Sequence, residues 1–424
     1  MKKYDLIIAG AGAAGLMAAL SASRDGMSVL LLEKMEKAGR KIRITGKGRC
    51  NITNTRPWNE FSSHIHPKSN TLKHAFHAFS NTDTIKLFEE IGLPVTVERG
   101  ERAYPSSGKA QDVVNALTEE LTKKGVEVRY NSKVTGYNIS NGVVVSVIWN
   151  ESGGKRSAET HSFIIATGGL SYPLTGSDGD GYKLAEYAGH TVVPCLPSLT
   201  ALMPLKYETL LSGLSLKNVS LKLLVGKDMV QEEFGDIEFT SNGLEGPIGL
   251  RISRKAVKAI SSGNRVFAEI DLKPALTEDQ VIARIKREFP SDGKIRLTDL
   301  LRKLMPGQLI IPFLNSSGLV PTKILSLQLP GEIYKLTDLL KNWRLEISGY
   351  TSFERCVITA GGVNFDEIVP KTMSSRLLPN LFFAGEVVDL DGDTGGYNLQ
   401  IAFSTGFLAG KSAAYFVKKS KTVI

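Results

Sequence analysis

Cysteine is scarce in this chain of 424 residues, which contains only Cys50, Cys195 and Cys356. The three are far apart and no Cys-x-x-Cys pair occurs, so the sequence supports neither a disulfide scaffold nor a redox-active dithiol nor a zinc knuckle. A reducing compartment fits this cysteine usage best. We therefore expect a cytoplasmic protein.

Long apolar runs are absent as well. The stretch Leu6–Leu20 follows Met1-Lys-Lys and imitates a signal peptide, but it carries glycines at positions 10, 12 and 15. No other segment is apolar for long enough to cross a bilayer. The sequence predicts a soluble protein with no membrane partner.

The overall composition is that of a globular protein, with 42% hydrophobic and 22% charged residues. Its length predicts two or three domains. The formal net charge of +9 raises the chance of contact with nucleic acid or an anionic surface, and it carries no information about the fold.

The first 32 residues have the pattern of a β-α-β unit. Tyr4–Ala9 is a short β-rich run, Ala13–Arg24 is small and helical, and Ser28–Leu32 is β-rich again. This predicts an α/β protein of the Rossmann type.

Near residue 193 the pattern changes to alternating strands and amphipathic segments. We predict a nucleotide-binding Rossmann-type domain in two parts, residues 1–192 and 352–424, separated by an inserted mixed substrate or cap domain at residues 193–351. In the insert the expected strands are 215–225, 237–240 and 265–272, and the expected helices are 278–289, 297–304 and 334–343.

The strongest local motif is Gly10-Ala-Gly-Ala-Ala-Gly15, between the first strand and the first helix. Gly10 allows the tight turn, Gly12 lets the backbone reach a pyrophosphate, and Gly15 lets helix and strand pack closely. The phosphates would lie at the helix N-terminus, where free amides and the helix dipole favour anions. Glu33 ends the second strand and is placed to accept hydrogen bonds from a ribose.

A basic loop follows, with seven cations and no acid between residues 37 and 59. Arg40, Lys41 or Arg43 could pair with a pyrophosphate, and Arg49-Cys-Asn51 could reach a flavin ring. A solvated basic loop and an RNA-facing loop are the alternatives.

Two further glycine-rich segments complete the predicted site. A buried strand ends in Ala166-Thr-Gly168, and Val134 is a candidate for backbone contact with an adenine. The strand 381–384 ends in Gly385-Glu386, which is placed to hold a ribityl hydroxyl. Residues 391–400 then form a glycine-rich turn into a helix over 399–416, whose N-terminus would stabilise negative charge on a reduced flavin.

These strings resemble one bacterial flavoprotein family. Gly46-Lys-Gly-Arg-Cys-Asn-Ile-Thr-Asn54, Thr359-Ala-Gly-Gly-Val363 and the segment 385–400 are similar to the motifs of 3-dehydro-bile-acid reductase-like (BaiN-like) and aminoacetone-oxidase-like NAD(P)/FAD-dependent oxidoreductases. The likeness spans essentially the whole chain. It departs from the family at Ser374 and Arg376, where relatives commonly carry Glu and Lys, and this weakens any transfer of substrate identity.

The resemblance, taken with the motifs, predicts a single cofactor site for FAD. Its predicted residues are Gly10, Gly12, Ala13, Ala14, Gly15, Glu33, Lys34, Arg40, Lys41, Gly48, Arg49, Cys50, Asn51, Val134, Ala166, Thr167, Gly168, Gly385, Glu386, Asn398, Leu399, Gln400 and Ile401. No catalytic acid or base is assigned.

The resemblance implies an oxidoreductase that moves a hydride through flavin N5, acting on a small to medium apolar carbonyl or enone such as a 3-oxo steroid or bile acid. NADH or NADPH would bind transiently as donor, since no second Gly-x-Gly-x-x-Gly unit is present. The alternatives are a tRNA-modifying flavoenzyme, an amine or aminoketone oxidase, and a non-catalytic FAD sensor. We do not expect a nucleic-acid partner, because no RNA-recognition motif is visible, and the sequence carries no information on oligomeric state.

Other candidate residues are weaker. His74 and His77 lie in a loop-like segment without carboxylate or thiol partners, so we expect no metal site. Cys50 is interpreted as a flavin neighbour and not as a nucleophile. Tyr397 could be a proton donor or could brace the turn. The acids at 389, 391 and 393 lack the spacing of a calcium loop.

Overall fold

The computed structural model describes residues 2–422, and these divide into two compact units. Of the described residues, the first comprises 2–196 and 353–422, and the second comprises Pro197–Ser352. The predicted insert, residues 193–351, differs from the second unit by four residues at its start and one at its end. Its role as a substrate domain stays a prediction.

A largely parallel sheet forms the centre of the first unit. Ile8 pairs with Leu31 on one side and with Ile164 on the other, both in parallel. The paired segments Leu6–Ala9, Val29–Leu32 and Phe163–Ile165 are apolar and buried, as expected for central parallel strands. The strands are, in spatial order, Ile368–Val369, Ser374–Ser375, Leu381–Phe383, Gly154–Ile165, Lys3–Ala9, Val29–Leu32 and Glu127–Arg129. Strand Val143–Glu151 pairs antiparallel with Gly154–Ile165, and Lys133–Ser140 pairs antiparallel with Val143–Glu151.

The first and last helices pack against each other at unusually short range. A Cβ atom on Gly406 would lie 2.3 Å from the Ala14 carbonyl oxygen, and one on Gly410 would lie 2.3 Å from that of Ala18. The ends of the chain therefore meet on this sheet. The α-helices of the unit are Ala13–Arg24, Arg40–Ile44, Trp58–Phe61, Lys73–Ala78, Asn81–Glu90, Ala110–Lys123, Asp180–Tyr187 and Gly395–Thr422.

Three small sheets complete the first unit. They are Thr53–Asn54 with Arg102–Pro105 and Val95–Glu98, Ile65–His66 with Asp391–Gly392, and Val192–Ser198 with Ile358–Val363. Its 3₁₀ turns are Thr45–Gly48, Ser62–His64, Ser69–Thr71, Pro173–Thr175, Phe365–Glu367 and Gly385–Val387.

The second unit is built on a closed six-stranded barrel. Its strands, in order around the barrel, are Leu202–Pro204, Gly243–Glu245, Asp228–Thr240, Ser215–Val225, Val266–Asp271 and Trp343–Tyr350. The remaining elements are the 3₁₀ turn Thr209–Leu211, the helices Gly246–Ser261, Glu278–Arg287, Leu297–Arg302, Gly307–Ser316 and Pro330–Lys341, and the two-stranded ribbon Lys294–Arg296 with Ile324–Ser326.

One predicted helix of the insert is misplaced. We expect a helix over 334–343, but the helix begins at Pro330, which suits a first helical position. Trp343 instead opens a barrel strand in which Trp343, Leu345 and Ile347 are buried at alternate positions, the period of a strand with one covered face. No helix within residues 2–422 is both long enough and apolar enough to span a membrane.

Candidate functional site

The glycine-rich turn after the first strand opens one end of a cleft. Gly10 has φ +97°, and a Cβ there would lie 2.5 Å from the Ala166 carbonyl oxygen. A Cβ on Gly15 would lie 1.8 Å from the Gly10 carbonyl oxygen, so both positions require glycine. A Cβ on Gly12 would meet no atom within 4 Å. Gly12 therefore faces open space.

The cleft lies within the first unit and measures about 1220 Å³, counting the part that is open to solvent. Most of the predicted cofactor residues line it together: Gly10, Gly12, Ala13, Ala14, Glu33, Lys34, Arg40, Lys41, Val134, Ala166, Thr167, Gly168, Gly385, Glu386, Asn398, Leu399 and Ile401. The sequence analysis missed other lining residues, among them Lys37, Ser132, Lys133, Asp180, Val357, Ile358, Leu390 and Gly395.

The predicted contact of Arg49–Asn51 with a flavin ring, like the cofactor assignment of Gly48, stays a prediction. Gly48, Arg49 and Cys50 do not line the cleft. The Arg49 guanidinium lies 4.3 Å from the centre of the Tyr104 ring and pairs with Glu98, so an aromatic face and a carboxylate hold it elsewhere. Cys50 is fully buried, and burial raises the pKa of its thiol to about 12. That thiol is not activated, in agreement with the interpretation that it is no nucleophile.

Three more of the predicted cofactor residues do not line the cleft, namely Asn51, Gln400 and Gly15. They lie behind the residues that line it and support them. The Asn51 amide, oriented to satisfy its neighbours, accepts from the Gly396 amide at 3.3 Å. The Gln400 amide donates to the Phe79 carbonyl at 3.2 Å and accepts from the Thr53 hydroxyl at 2.7 Å. Both side chains anchor the start of the last helix.

Glu33 is held at the end of the second strand by two backbone amides. Its carboxylate accepts from Ala11 at 2.7 Å and from Met35 at 2.8 Å. Burial raises the pKa of Glu33, and the two amides oppose that rise. The carboxylate retains free lone pairs at the cleft wall, where a ribose hydroxyl could donate to them.

A charge cluster borders the same end of the cleft. Lys34 pairs with Asp180 at 2.8 Å and also with Asp178, and Lys133 pairs with Asp180 at 2.9 Å. Although burial raises the pKa of Asp180, hydrogen bonds from the two lysines outweigh it and lower the pKa to about 2. Asp180 is therefore a carboxylate at neutral pH, and it holds both ammonium groups at the cleft wall.

Lys41 and Glu386, which both line the cleft, form an ion pair at 2.5 Å. Glu386 also accepts from the Thr359 amide at 3.0 Å and from the Ser171 hydroxyl. The sequence analysis offers Arg40, Lys41 or Arg43 as partner of a pyrophosphate and places Glu386 at a ribityl hydroxyl, and both assignments stay predictions. In the structure the Lys41 and Glu386 side chains pair with each other, since opposite charges in a half-buried site attract.

The sequence analysis missed a cluster at the start of the last helix. His64 Nδ1 and His66 Nε2 lie 2.8 Å and 2.7 Å from the two oxygens of Asp393, and the His64 ring stacks on Tyr397 at 4.5 Å. Burial alone would raise the pKa of Asp393, but the two imidazoles lower it to about 2. The available signal was the His-x-His spacing of His64 and His66, at the end of the turn Ser62–His64 and in the strand Ile65–His66.

Another histidine, His190, forms a buried group with a serine and a glutamate that resembles a catalytic triad. His190 Nε2 lies 2.7 Å from the Ser375 hydroxyl and Nδ1 lies 3.1 Å from Glu367. The Ser375 oxygen already accepts from the amides of Leu377 and Leu378. The group therefore braces the segment 372–376. No residue of that segment, including Ser374 and Arg376, lines the cleft.

The predicted loop around His74 and His77 is a helix, Lys73–Ala78. Leu72, Ala75 and Phe76, which neighbour the two histidines in the sequence, are buried and supply the apolar face that a helix needs. Within residues 2–422 no three His, Cys, Asp or Glu side chains are grouped closely enough to hold a metal ion.

Comparison with known proteins places the chain in a family. The model of the HI0933-like protein Rossmann domain matches residues 4–412. The chain belongs to the HI0933-like family. The 3-dehydro-bile acid delta(4,6)-reductase of Clostridium scindens is 31% identical to it over 410 residues, covering 96% of this chain and 98% of the relative.

A second relative carries a different name. The ribosomal RNA dihydrouridine synthase of Haemophilus influenzae is 31% identical over 417 residues, covering 96% of this chain and 98% of that protein. Among solved structures, 3-ketosteroid delta1-dehydrogenase from Sterolibacterium denitrificans has a similar fold, with a TM-score of 0.55, 12% identity, and coverage of 98% of this chain and 100% of that one. This HI0933-like protein is an FAD-dependent oxidoreductase with a Rossmann-type FAD-binding fold, as predicted.

The cleft of this HI0933-like protein fits a dinucleotide. Helix Ala13–Arg24 has no side chain capping its N-terminus and no acid in its first turn, so free amides and the positive end of the dipole face the cleft at Gly12. Glu33 at one end and the start of the long helix, at Gly395, both line the same cleft. The residues present thus match the ribose and phosphates of FAD.

Proposed function

We propose that the protein reduces a carbon–carbon double bond conjugated to a carbonyl group, using FAD. FAD supplies hydride transfer when it is bound. The observation that carries the proposal is the cleft, which is lined by an uncapped helix N-terminus, the buried carboxylate of Glu33 and the start of a second helix. The sequence similarity to two named reductive enzymes supports the direction of the reaction.

The chain's own groups have separable tasks in this proposal. The amides around Gly12 bind the phosphates, and Glu33 orients the ribose. The pair Lys41–Glu386 sets the position of the ribityl chain of FAD. Lys41 can exchange its ion pair for a phosphate and Glu386 for a hydroxyl, so that neither charge is left buried without a partner. The start of helix Gly395–Thr422 favours negative charge at the end of the cleft that it lines.

The two relatives suggest a shared chemistry. A 3-dehydro bile acid with 4,6 unsaturation carries double bonds conjugated to its 3-oxo group, and uridine carries a double bond conjugated to a ring carbonyl. In both, hydride adds to the carbon remote from the carbonyl and a proton adds to the carbon beside it. A reductase of this class needs a hydride donor, for which we propose NADH or NADPH binding transiently.

An anaerobic titration tests the donor. Purified protein is mixed with NADH or NADPH in the absence of oxygen, and the visible flavin absorbance is followed. Bleaching of that band by either nucleotide is the expected result. If neither nucleotide bleaches the flavin band but an amine or aminoketone does, the reductase proposal is wrong and the protein is an oxidase.

The acceptor is tested next with the reduced protein. A steroid 4-en-3-one and a uridine-containing RNA are added separately, and return of the flavin band is timed alongside mass spectrometry of the product. A gain of two hydrogens in one of them identifies the substrate class. If both leave the flavin reduced, conjugated carbonyl reduction is wrong.

RNA is the second candidate substrate, favoured by a specific observation. Four exposed cations lie within one short stretch of the second unit and make no salt bridge with the described residues 2–422. They are Lys286, Arg287, Lys294 and Arg296. A bile-acid substrate gives no reason for such a surface, whereas phosphates would neutralise it.

A further inference from the structure

We propose that the ribbon surface of the second unit, defined by Lys286, Arg287, Lys294 and Arg296, is a docking surface for the phosphate backbone of RNA. The proposal deepens the second candidate function above and rests on it. The cleft is lined only by residues of the first unit, so this surface is separate from the residues assigned to FAD.

The cations are concentrated in a short stretch of sequence. Residues 284–303 contain seven Lys or Arg and three Asp or Glu. The three acids leave a positive excess. Glu288 binds Arg284 and Lys303, Asp299 binds Arg302, and the Asp292 carboxylate accepts from the Lys294 backbone amide at 3.1 Å. Within residues 2–422 the four cations of the ribbon surface have no salt-bridge partner, and all four are exposed.

The backbone brings these cations together. In the strand Lys294–Arg296 only Ile295 is buried, so the two flanking cations project from the same outer face. The ion pair of Lys303 with Glu288, 3.2 Å long, ties the chain after helix Leu297–Arg302 to the end of helix Glu278–Arg287. Lys286 and Arg287 lie in the last turn of helix Glu278–Arg287.

The ribbon and helix Pro330–Lys341, which packs against its second strand, also expose groups that suit bases. Ile324 pairs with Arg296 across the ribbon and is 61% exposed, while its neighbour Leu325 is buried. Tyr334, on helix Pro330–Lys341, is 56% exposed. Unpaired bases stack on exposed aromatic and guanidinium planes, and arginine forks bind phosphates. Single-stranded RNA is therefore the partner that matches this mixture.

The test compares two variants that remove equal charge. In the surface variant, Lys286, Arg287, Lys294 and Arg296 are each replaced by Ala. In the control, four exposed lysines on or beside the barrel strands and helix are replaced by Ala, namely Lys206, Lys217, Lys227 and Lys258. Binding of a fluorescent single-stranded RNA is measured by anisotropy at several salt concentrations.

The surface variant is expected to lose about tenfold or more in affinity. Its salt dependence should also become shallower, by about 0.7 in the log–log slope for each phosphate contact that is lost. The control should keep the affinity of the unmodified protein. Equal losses in both variants, no RNA binding by the unmodified protein, or tighter binding to phosphatidylserine vesicles than to RNA would each overturn the proposal.

Two measurements keep this test separate from the reaction. FAD content and nicotinamide-driven bleaching are recorded for every variant, so a failure of the reductase proposal appears there and leaves RNA affinity intact. A thermal melt checks folding. If the fourfold variant is unstable, the pair Lys294→Ala and Arg296→Ala is used, with a smaller loss of affinity expected in the same direction.

Discussion

Gly12 lines the cleft at the start of the first helix and faces open space there. A Cβ there meets no protein atom within 4 Å, and φ is −80°. We predict that Gly12→Ala lowers FAD affinity about tenfold or more, since losing one amide–phosphate hydrogen bond costs about 1.5–3 kcal/mol. FAD release is measured by fluorescence. The apoprotein should lose only about 1 kcal/mol of stability at this N-cap position, and a large loss would make Gly12 a folding residue.

Cys50 is predicted to be inert towards alkylation. Its thiol is fully buried with a pKa of about 12, so almost no thiolate exists at neutral pH. After treatment of the native protein with iodoacetamide, peptide mass mapping should find Cys195, which is partly exposed, modified well before Cys50. Rapid labelling of Cys50 at neutral pH would contradict this placement.

The ionisation of Asp393 makes the free energy of unfolding depend on pH in the acid range. Its pKa is about 2 in the folded protein and about 3.9 in an unfolded chain, so its hydrogen bonds stabilise the fold fully above the unfolded pKa. That contribution, about 2 kcal/mol, is lost as pH falls through the folded pKa. We predict that Asp393→Asn lowers the unfolding free energy at pH 6 by about this amount.

The same variant should also flatten the acid limb of the stability curve. Urea unfolding between pH 6 and pH 2.5 measures both effects, and Asp366→Asn, at an exposed carboxylate, is the matched control. A variant whose acid limb is as steep as that of the unmodified protein would show that another carboxylate is responsible.

Residues with one dominant constraint were predictable from the sequence, and residues with competing partners were not. Gly10 and Gly15 are required by backbone contacts that any Gly-x-Gly-x-x-Gly turn makes. Arg49 looked like a ligand residue because the motif is basic, but Tyr104 and Glu98, distant in sequence, compete for it. Asp393 likewise meets its histidines only after the two ends of the chain have folded together.

The contact between the first and last helices is the element whose packing tolerates least change. We predict that Gly410→Ala destabilises the protein by about 1–3 kcal/mol, because its Cβ would lie 2.3 Å from the Ala18 carbonyl oxygen and force the helices apart. Gly331→Ala, also within a helix and with no neighbour within 4 Å, is the control. It should leave stability unchanged or raise it by up to about 1 kcal/mol. Chemical denaturation measures both, and equal losses would refute close packing as the cause.

Element type followed from periodicity where the pattern was strong, as in the predicted strand 215–225, which the structure reproduces as Ser215–Val225. Helices Gly246–Ser261 and Gly307–Ser316 were missed. The first begins with Gly-Pro-Ile-Gly, and the second contains Pro312, so glycine and proline hide the helical pattern. Closure of the six strands into a barrel depends on pairing between residues far apart, which local patterns do not contain.

At the scale of the whole molecule, the second unit has the marks of an independently folding insert. Its core is a closed barrel, which leaves no unpaired strand edge. Its two ends lie side by side, since the Thr351 amide donates to the Ala201 carbonyl at 3.1 Å and the Thr200 hydroxyl donates to the Thr351 carbonyl at 2.8 Å. A short linker could therefore replace the unit without stretching the chain.

We predict that residues 197–352, expressed alone, unfold cooperatively and bind no FAD. The complementary protein, with that unit replaced by a flexible glycine–serine linker, should keep FAD, because every residue lining the cleft lies in the first unit. Circular dichroism melts and flavin absorbance after gel filtration measure the two outcomes. If the linker protein folds but loses FAD, the insert contributes to cofactor binding. If it keeps both FAD and full turnover on every substrate, the insert is not the substrate domain.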